Sequence, residues 1–163
     1  MKACRLSLAI GLVFASLFLW SCPPARAAGP SEVWVDDGYC VTCPNDRHTW
    51  GVNAFSTISA AVGAVAPGGL VHVLPGRYAE DVRIDRACVL SADRPGVQLL
   101  PRVAEVTLTI AADDVTVQGL EVFGGKQAAI LVLGPAFQYK PIRGAVIRKN
   151  RVRGGYFGIA ANI

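Results

Sequence analysis

The chain has 163 residues, enough for one domain, of which 52% are hydrophobic and 17% charged. Its formal charge of +4 rests on 16 basic against 12 acidic residues; removing Lys2, Arg5 and Arg26, which fall in the first 27 positions, leaves 13 against 12. A balance so close to neutral excludes a polyanion, nucleic acid included, as a partner held by overall charge.

Those first 27 positions carry the layout of a secretory signal peptide. Lys2 and Arg5 form a positive head, Leu6 to Trp20 is an uncharged apolar run, and Ala25-Arg26-Ala27 offers a small-x-small cleavage site. The run is short for a membrane span, which needs about 20 residues, so cleavage after Ala27 or Ala28 leaves a chain with no span. Leu19-Trp20-Ser21-Cys22 is similar to a bacterial lipobox, although Trp20 is bulky where a small residue is usual; that alternative would anchor the chain through Cys22. Either way the expected location is secreted, periplasmic or on the cell surface. Three cysteines then remain: Cys40, Cys43 and Cys88. In an oxidising compartment Cys40 and Cys43 can pair locally, or they stay as two loop thiols. Cys88, inside Ala87-Cys88-Val89-Leu90, reads as a buried thiol.

Residues 28–54 read as a strand and a loop. Val33-Trp34-Val35 alternates and runs into an Asp36-Asp37-Gly38 turn, and Tyr39 to Asn53 is polar and punctuated. Asp36, Asp37, Asp46 and His48 lie near Cys40 and Cys43. A Cys-x-x-Cys supplies half of a zinc site, but there is no second pair, and the other histidine, His72, sits in a strand, so no metal site is assigned. Residues 55–163 open with a short helix. Ser56 or Thr57 can cap it, Phe55 is placed to staple its start, and Ile58, Ala61, Val62 and Val65 form one apolar stripe. Pro67-Gly68-Gly69 ends it. Such a helix can cover the open end of a stack of strands.

From Leu70 onward the pattern is of short β-branched runs: Leu70–Val73, Val82–Ile84, Cys88–Leu90, Val97–Leu100, Leu108–Ile110, Val115–Val117, Leu120–Val122, Ile130–Leu133, Ala145–Ile147 and Gly158–Ala160. Gly, Pro, Asp and Asn separate them, which suits a sandwich, a barrel or a solenoid. An internal repeat favours the solenoid. Val115 to Gly125 can be laid on Ala145 to Gly155, so that Val117 falls on Ile147, Val122 on Val152, and Gly124-Gly125 on Gly154-Gly155. The offset is about 30 residues, and removing Pro135 to Pro141, which reads as an inserted loop, leaves about 23 for one coil. Asn150 then takes either an inward turn position, bonding to backbone along the stack, or a solvent-facing one. Gly158 to Asn162 reads as the start of another rung, so the chain is expected to be the N-terminal part of a longer protein; a short solenoid closed by a partner chain is the alternative.

The segment Phe55 to Leu90, with its cap helix, Pro-Gly-Gly stop, buried strand and Pro75-Gly76 turn, resembles the N-terminal cap and first rungs of the pectin-lyase-like proteins. The resemblance implies an all-β, right-handed parallel β-helix with a short N-terminal capping α-helix. Phe55-x-Thr57-Ile58-x-Ala60-Ala61 and Pro75-Gly76-x-Tyr78-x-Glu80 are also similar to pectin-methylesterase-like chains, where both motifs are structural. The catalytic aspartate segments of those chains have no counterpart here, and Asp113-Asp114, the paired acid within the rungs, reads as a turn. A resemblance to periplasmic β-helix accessory proteins of copper-enzyme maturation implies copper ligands, yet Met1 is the single methionine and the chain has 2 histidines.

Arg143, Arg148, Lys149, Arg151 and Arg153 concentrate positive charge in the last coil, with Phe137, Tyr139 and Tyr156 nearby. Alternation puts Arg151 and Arg153 on one side of a strand and Val152 on the other. Arg148, Arg151, Arg153 and Tyr156 are the candidate binding residues: guanidinium groups hold carboxylates of an acidic polysaccharide, and the ring stacks on a sugar. The same residues also suit a plain solvated face. No catalytic residue and no cofactor is assigned. The expected function is an exported carbohydrate-binding or surface-scaffold module without catalysis in this segment. The alternative is the N-terminal part of a polysaccharide lyase, hydrolase or pectin-esterase-like enzyme.

Overall fold

The computed structural model describes residues 29–133 and 141–162. The signal-peptide segment, Cys22, most of the expected insertion, Phe137 and Tyr139 lie outside the described residues. Alternation makes the first strand: in β1 (Glu32–Val35) Val33 and Val35 are fully buried while Trp34 points outward. It runs parallel to β2 (Ala54–Phe55) and to β3 (Gly69–Val73). Between these, α1 (Ile58–Ala64) buries Ile58, Ala61 and Val62, with Val65 at its end. Thr57 is the cap residue, accepting from the Ala60 N–H at 3.3 Å. Phe55, just ahead of the helix, shares the core cluster with Ile58, Ala61 and Val62. It belongs to β2, where register with Val35 buries it in the core.

The remaining strands fall into four successive triplets. They are β3, β4 (Gly76–Ala79) and β5 (Val82–Ile84); β6 (Cys88–Ala92), β7 (Val97–Leu100) and β8 (Val106–Ile110); β9 (Val115–Gln118), β10 (Glu121–Gly124) and β11 (Ala128–Leu133); and β12 (Val146–Arg148), β13 (Arg151–Gly154) and β14 (Phe157–Asn162). Each strand pairs with the strand three places on, always in parallel, giving three sheets among the described residues. Sheet 1 runs β12-β9-β6-β3-β1-β2, sheet 2 β13-β10-β7-β4, and sheet 3 β14-β11-β8-β5. The chain is therefore an all-β, parallel β-helix-like arrangement with one short helix.

Inward side chains repeat in columns, because parallel register places like positions above one another. Val71, Leu90, Val117 and Ile147 form one column in sheet 1, and Tyr78, Leu99, Val122 and Val152 one in sheet 2. Burying each such side chain contributes about 2 kcal/mol. The pairings Val117 with Ile147, Val122 with Val152 and Gly124 with Gly154 follow the internal repeat. Glycine is required at Gly124, because a Cβ there would sit 2.6 Å from the backbone of Gly154.

Two elements differ from the sequence expectation. Gly76–Ala79 is a strand beginning within the expected Pro75-Gly76 turn and taking in Arg77 to Ala79, which belong to no expected element, with Tyr78 pointing inward and its hydroxyl donating to the Leu74 carbonyl at 2.8 Å. Gly158 to Asn162 does not begin a new rung; Phe157–Asn162 is the third strand of the fourth triplet, paired with β11.

Side chains at the corners stitch one triplet to the next. The Asp81 carboxylate accepts from the N–H groups of Arg102, Val103 and Ala104 at 3.0, 2.9 and 2.9 Å. Asp113 accepts from the Arg143 N–H at 2.9 Å. Asn150 takes the inward of its two expected positions. Its Oδ1 accepts from the Leu120 N–H and its Nδ2 donates to the Val117 carbonyl, both at 2.9 Å. Glu80, from the first triplet, accepts from the Ile58 and Ser59 N–H groups at 2.6 and 2.9 Å and so fastens α1, which lies against β1, β2, β3 and β5.

Candidate functional site

Alternation along β1, β3, β6, β9 and β12 puts two sets of outward positions in common register, one of them running through Glu32, Leu70, Val89, Thr116 and Val146 and the other more polar. In the more polar set, Trp34 stands beside His72, His72 beside Ser91, Ser91 beside Gln118 and Gln118 beside Arg148. Neighbouring parallel strands are about 4.8 Å apart, so the five residues form a row about 19 Å long. Its members touch. Gln118 donates through Nε2 to Ser91 Oγ at 3.0 Å, and Arg148 donates through Nε to Gln118 Oε1 at 2.8 Å. At the other end the Trp34 indole stacks on His72, with centroids 4.9 Å apart.

Trp34 also stacks on His48, with centroids 3.9 Å apart and ring planes 12° apart. His48 is brought there by the excursion between β1 and β2. Cys40 and Cys43 are joined by a disulfide. Buried Asn45 then accepts from the Cys40 N–H at 2.9 Å and donates to the Cys40 carbonyl at 2.8 Å. Asn45, Asp46 and Arg47 all have positive φ, 46°, 51° and 71°. Three consecutive left-handed residues are costly without glycine, and the cross-linked loop holds them.

Beside this stack opens a cleft of about 410 Å³, lined by Trp34, Tyr39, Asp46, His48, Leu74, Pro75, Asp93 and Arg94. Leu74 and Pro75 follow β3, and Asp93 and Arg94 follow β6, so the cleft sits where the first two triplets turn out of sheet 1. Asp93 is hydrogen-bonded to His72 Nδ1 at 2.8 Å, and the other ring nitrogen lies 3.9 Å from Glu32. The Tyr39 hydroxyl donates to Asp46 at 2.9 Å. Burial, that hydrogen bond and the charges of Asp46, Asp36 and Asp93 hold the Tyr39 hydroxyl well above the usual phenol range.

The candidate binding residues do not form one patch. Arg148 ends the sheet 1 row. Arg151 and Arg153 are exposed on sheet 2, on the same side of β13, with Val152 inward. Their charge is shared with Glu121, 3.0 Å from Arg153 and 3.9 Å from Arg151. Tyr156 is exposed at the corner before β14 and packs edge-on against Phe157. Cys88 is buried in the core, and burial pushes its thiol up to about 11. Among the described residues no group of three or more His, Cys, Asp or Glu side chains converges as a metal would require. No helix among them is long and apolar enough to cross a membrane.

The row from Trp34 to Gln118 and the ring stack were not singled out from sequence. Their signal is the outward position in each alternating strand, but that signal becomes a row only once register is known. In comparison with known proteins, no family model, no curated protein and no solved structure matches the chain.

Proposed function

We propose that the chain is an exported, right-handed parallel β-helix of the pectin-lyase-like kind whose four triplets are coils, and that it binds polysaccharide along the outer face of sheet 1. The binding is not coupled to catalysis in the described residues. The layout of residues 1–27 supports export, and a cell-surface, periplasmic or secreted location follows from it. The observation that carries the binding reading is the outward row Trp34, His72, Ser91, Gln118 and Arg148. Hydrogen-bonding side chains face outward along it at the strand spacing of about 4.8 Å, where they can meet successive hydroxyl groups of an extended glycan. Arg148 is bonded to a neutral amide, so its charge remains to pair with a carboxylate on an acidic unit.

Affinity electrophoresis through gels carrying neutral or acidic polysaccharides tests this. The protein is expected to be retarded by at least one of them, and Gln118→Ala with Arg148→Ala to bind about tenfold more weakly. Equal retardation of the double variant, or no retardation in any gel, contradicts the reading.

A further inference from the structure

The cleft beside Trp34 is chemically unlike the far end of the row. Of its lining residues Asp46 and Asp93 carry negative charge and Arg94 positive charge. Two further carboxylates lie close outside it: Glu32 faces His72, and Asp36 acts on the Tyr39 hydroxyl. The lining also includes the aromatic rings of Trp34, Tyr39 and His48 and the apolar Leu74 and Pro75, and the volume of about 410 Å³ exceeds that of one sugar ring. An anionic unit would meet this field with repulsion. A unit bearing a protonated amine would gain charge-assisted hydrogen bonds to carboxylates and a favourable approach to aromatic rings.

We infer that the cleft is a subsite for an amine-bearing sugar, held between Asp46 and Asp93 and against the Trp34 edge, so that the chain recognises an amino sugar at one end of its glycan. This rests on the polysaccharide reading of the sheet 1 row and names the unit at its cleft end. A ring hydroxyl would bond to an imidazole nitrogen of His48. The Tyr39 hydroxyl fixes the Asp46 carboxylate and leaves its second oxygen for the ligand.

The test is calorimetric or NMR titration of the full protein at about pH 6, where the sugar amines are protonated and aspartate carboxylates ionised, with the β-1,4-linked glucosamine disaccharide; cellobiose and digalacturonate serve as comparators. Disaccharides are short enough to report on the cleft alone. The glucosamine disaccharide is expected to bind about tenfold more tightly than cellobiose, and digalacturonate more weakly than either. Asp93→Asn is expected to erase the preference. Because that variant also alters the His72 hydrogen bond, Arg94→Gln provides a second arm: it removes the positive charge, and the amine is expected to bind about threefold more tightly, a gain that misfolding cannot produce. Equal binding of cellobiose, an unchanged preference in both variants, or no binding of any disaccharide overturns the inference. Gel retardation of the Gln118→Ala, Arg148→Ala variant reports separately on the longer row.

Discussion

Single residues at the corners hold successive triplets in register. Asn150 does so with both ends of its amide, satisfying a buried N–H and a carbonyl of the preceding triplet. Asn150→Ala leaves both unpaired and is expected to cost about 2 kcal/mol, read as a lower urea midpoint with an unchanged slope. Asp81 gives a pH signature. Burial acts to raise its pKa, but the N–H groups of Ala104, Arg102 and Val103 and the Arg102 charge outweigh it, so the carboxyl lies below the ordinary value. With the folded pKa depressed, this stabilisation is present above the unfolded value and is lost as pH falls through the folded one. The wild type should therefore lose stability below about pH 4, and Asp81→Asn should flatten that limb of the melting-temperature profile while lowering the plateau.

At the scale of elements, the helix and the strands it covers depend on one another. Glu80 binds the free N–H groups of the first turn of α1 and also accepts from the Ser59 hydroxyl at 2.5 Å. Glu80→Ala is expected to cost about 2 kcal/mol and to speed hydrogen exchange of the Ala61 and Val65 amides, with the amides of β9 and β10 unchanged. These elements differed in how readily the sequence disclosed them. The apolar stripe of α1 was readable because 3.6-residue periodicity is local. Strand β4 was not, because Pro75-Gly76 punctuates it and Arg77-Tyr78-Ala79 contains no β-branched residue. The left-handed turn at Asn45–Arg47 was hidden because no glycine marks it, and with it went the placement of His48 on Trp34.

For the whole molecule, the register of the last two triplets was legible from the repeat because Gly124 and Gly154 must approach closely and recur with the same apolar spacing. The binding face was not legible. Trp34, His72, Ser91, Gln118 and Arg148 are separated by unequal stretches of chain, and turn lengths decide which outward residues share a row. The cluster of arginines, conspicuous in sequence, is divided by the fold between two sheets and partly neutralised by Glu121. Nearest-neighbour stacking also predicts how damage spreads. Gly124→Ala would force β10 and β13 apart at about 2 kcal/mol, so exchange should quicken in β12, β13 and β14 while β3 to β8 keep their protection.

The most direct test of the central claim, that the outer row of sheet 1 is the glycan-binding face, is a titration of the isotope-labelled protein with an oligosaccharide that retards it in gels. The Trp34 indole and the Gln118 side-chain amide should shift together, with one half-saturation concentration. Shifts confined to the Tyr156 and Phe157 corner, or absent from both Trp34 and Gln118, would contradict the account.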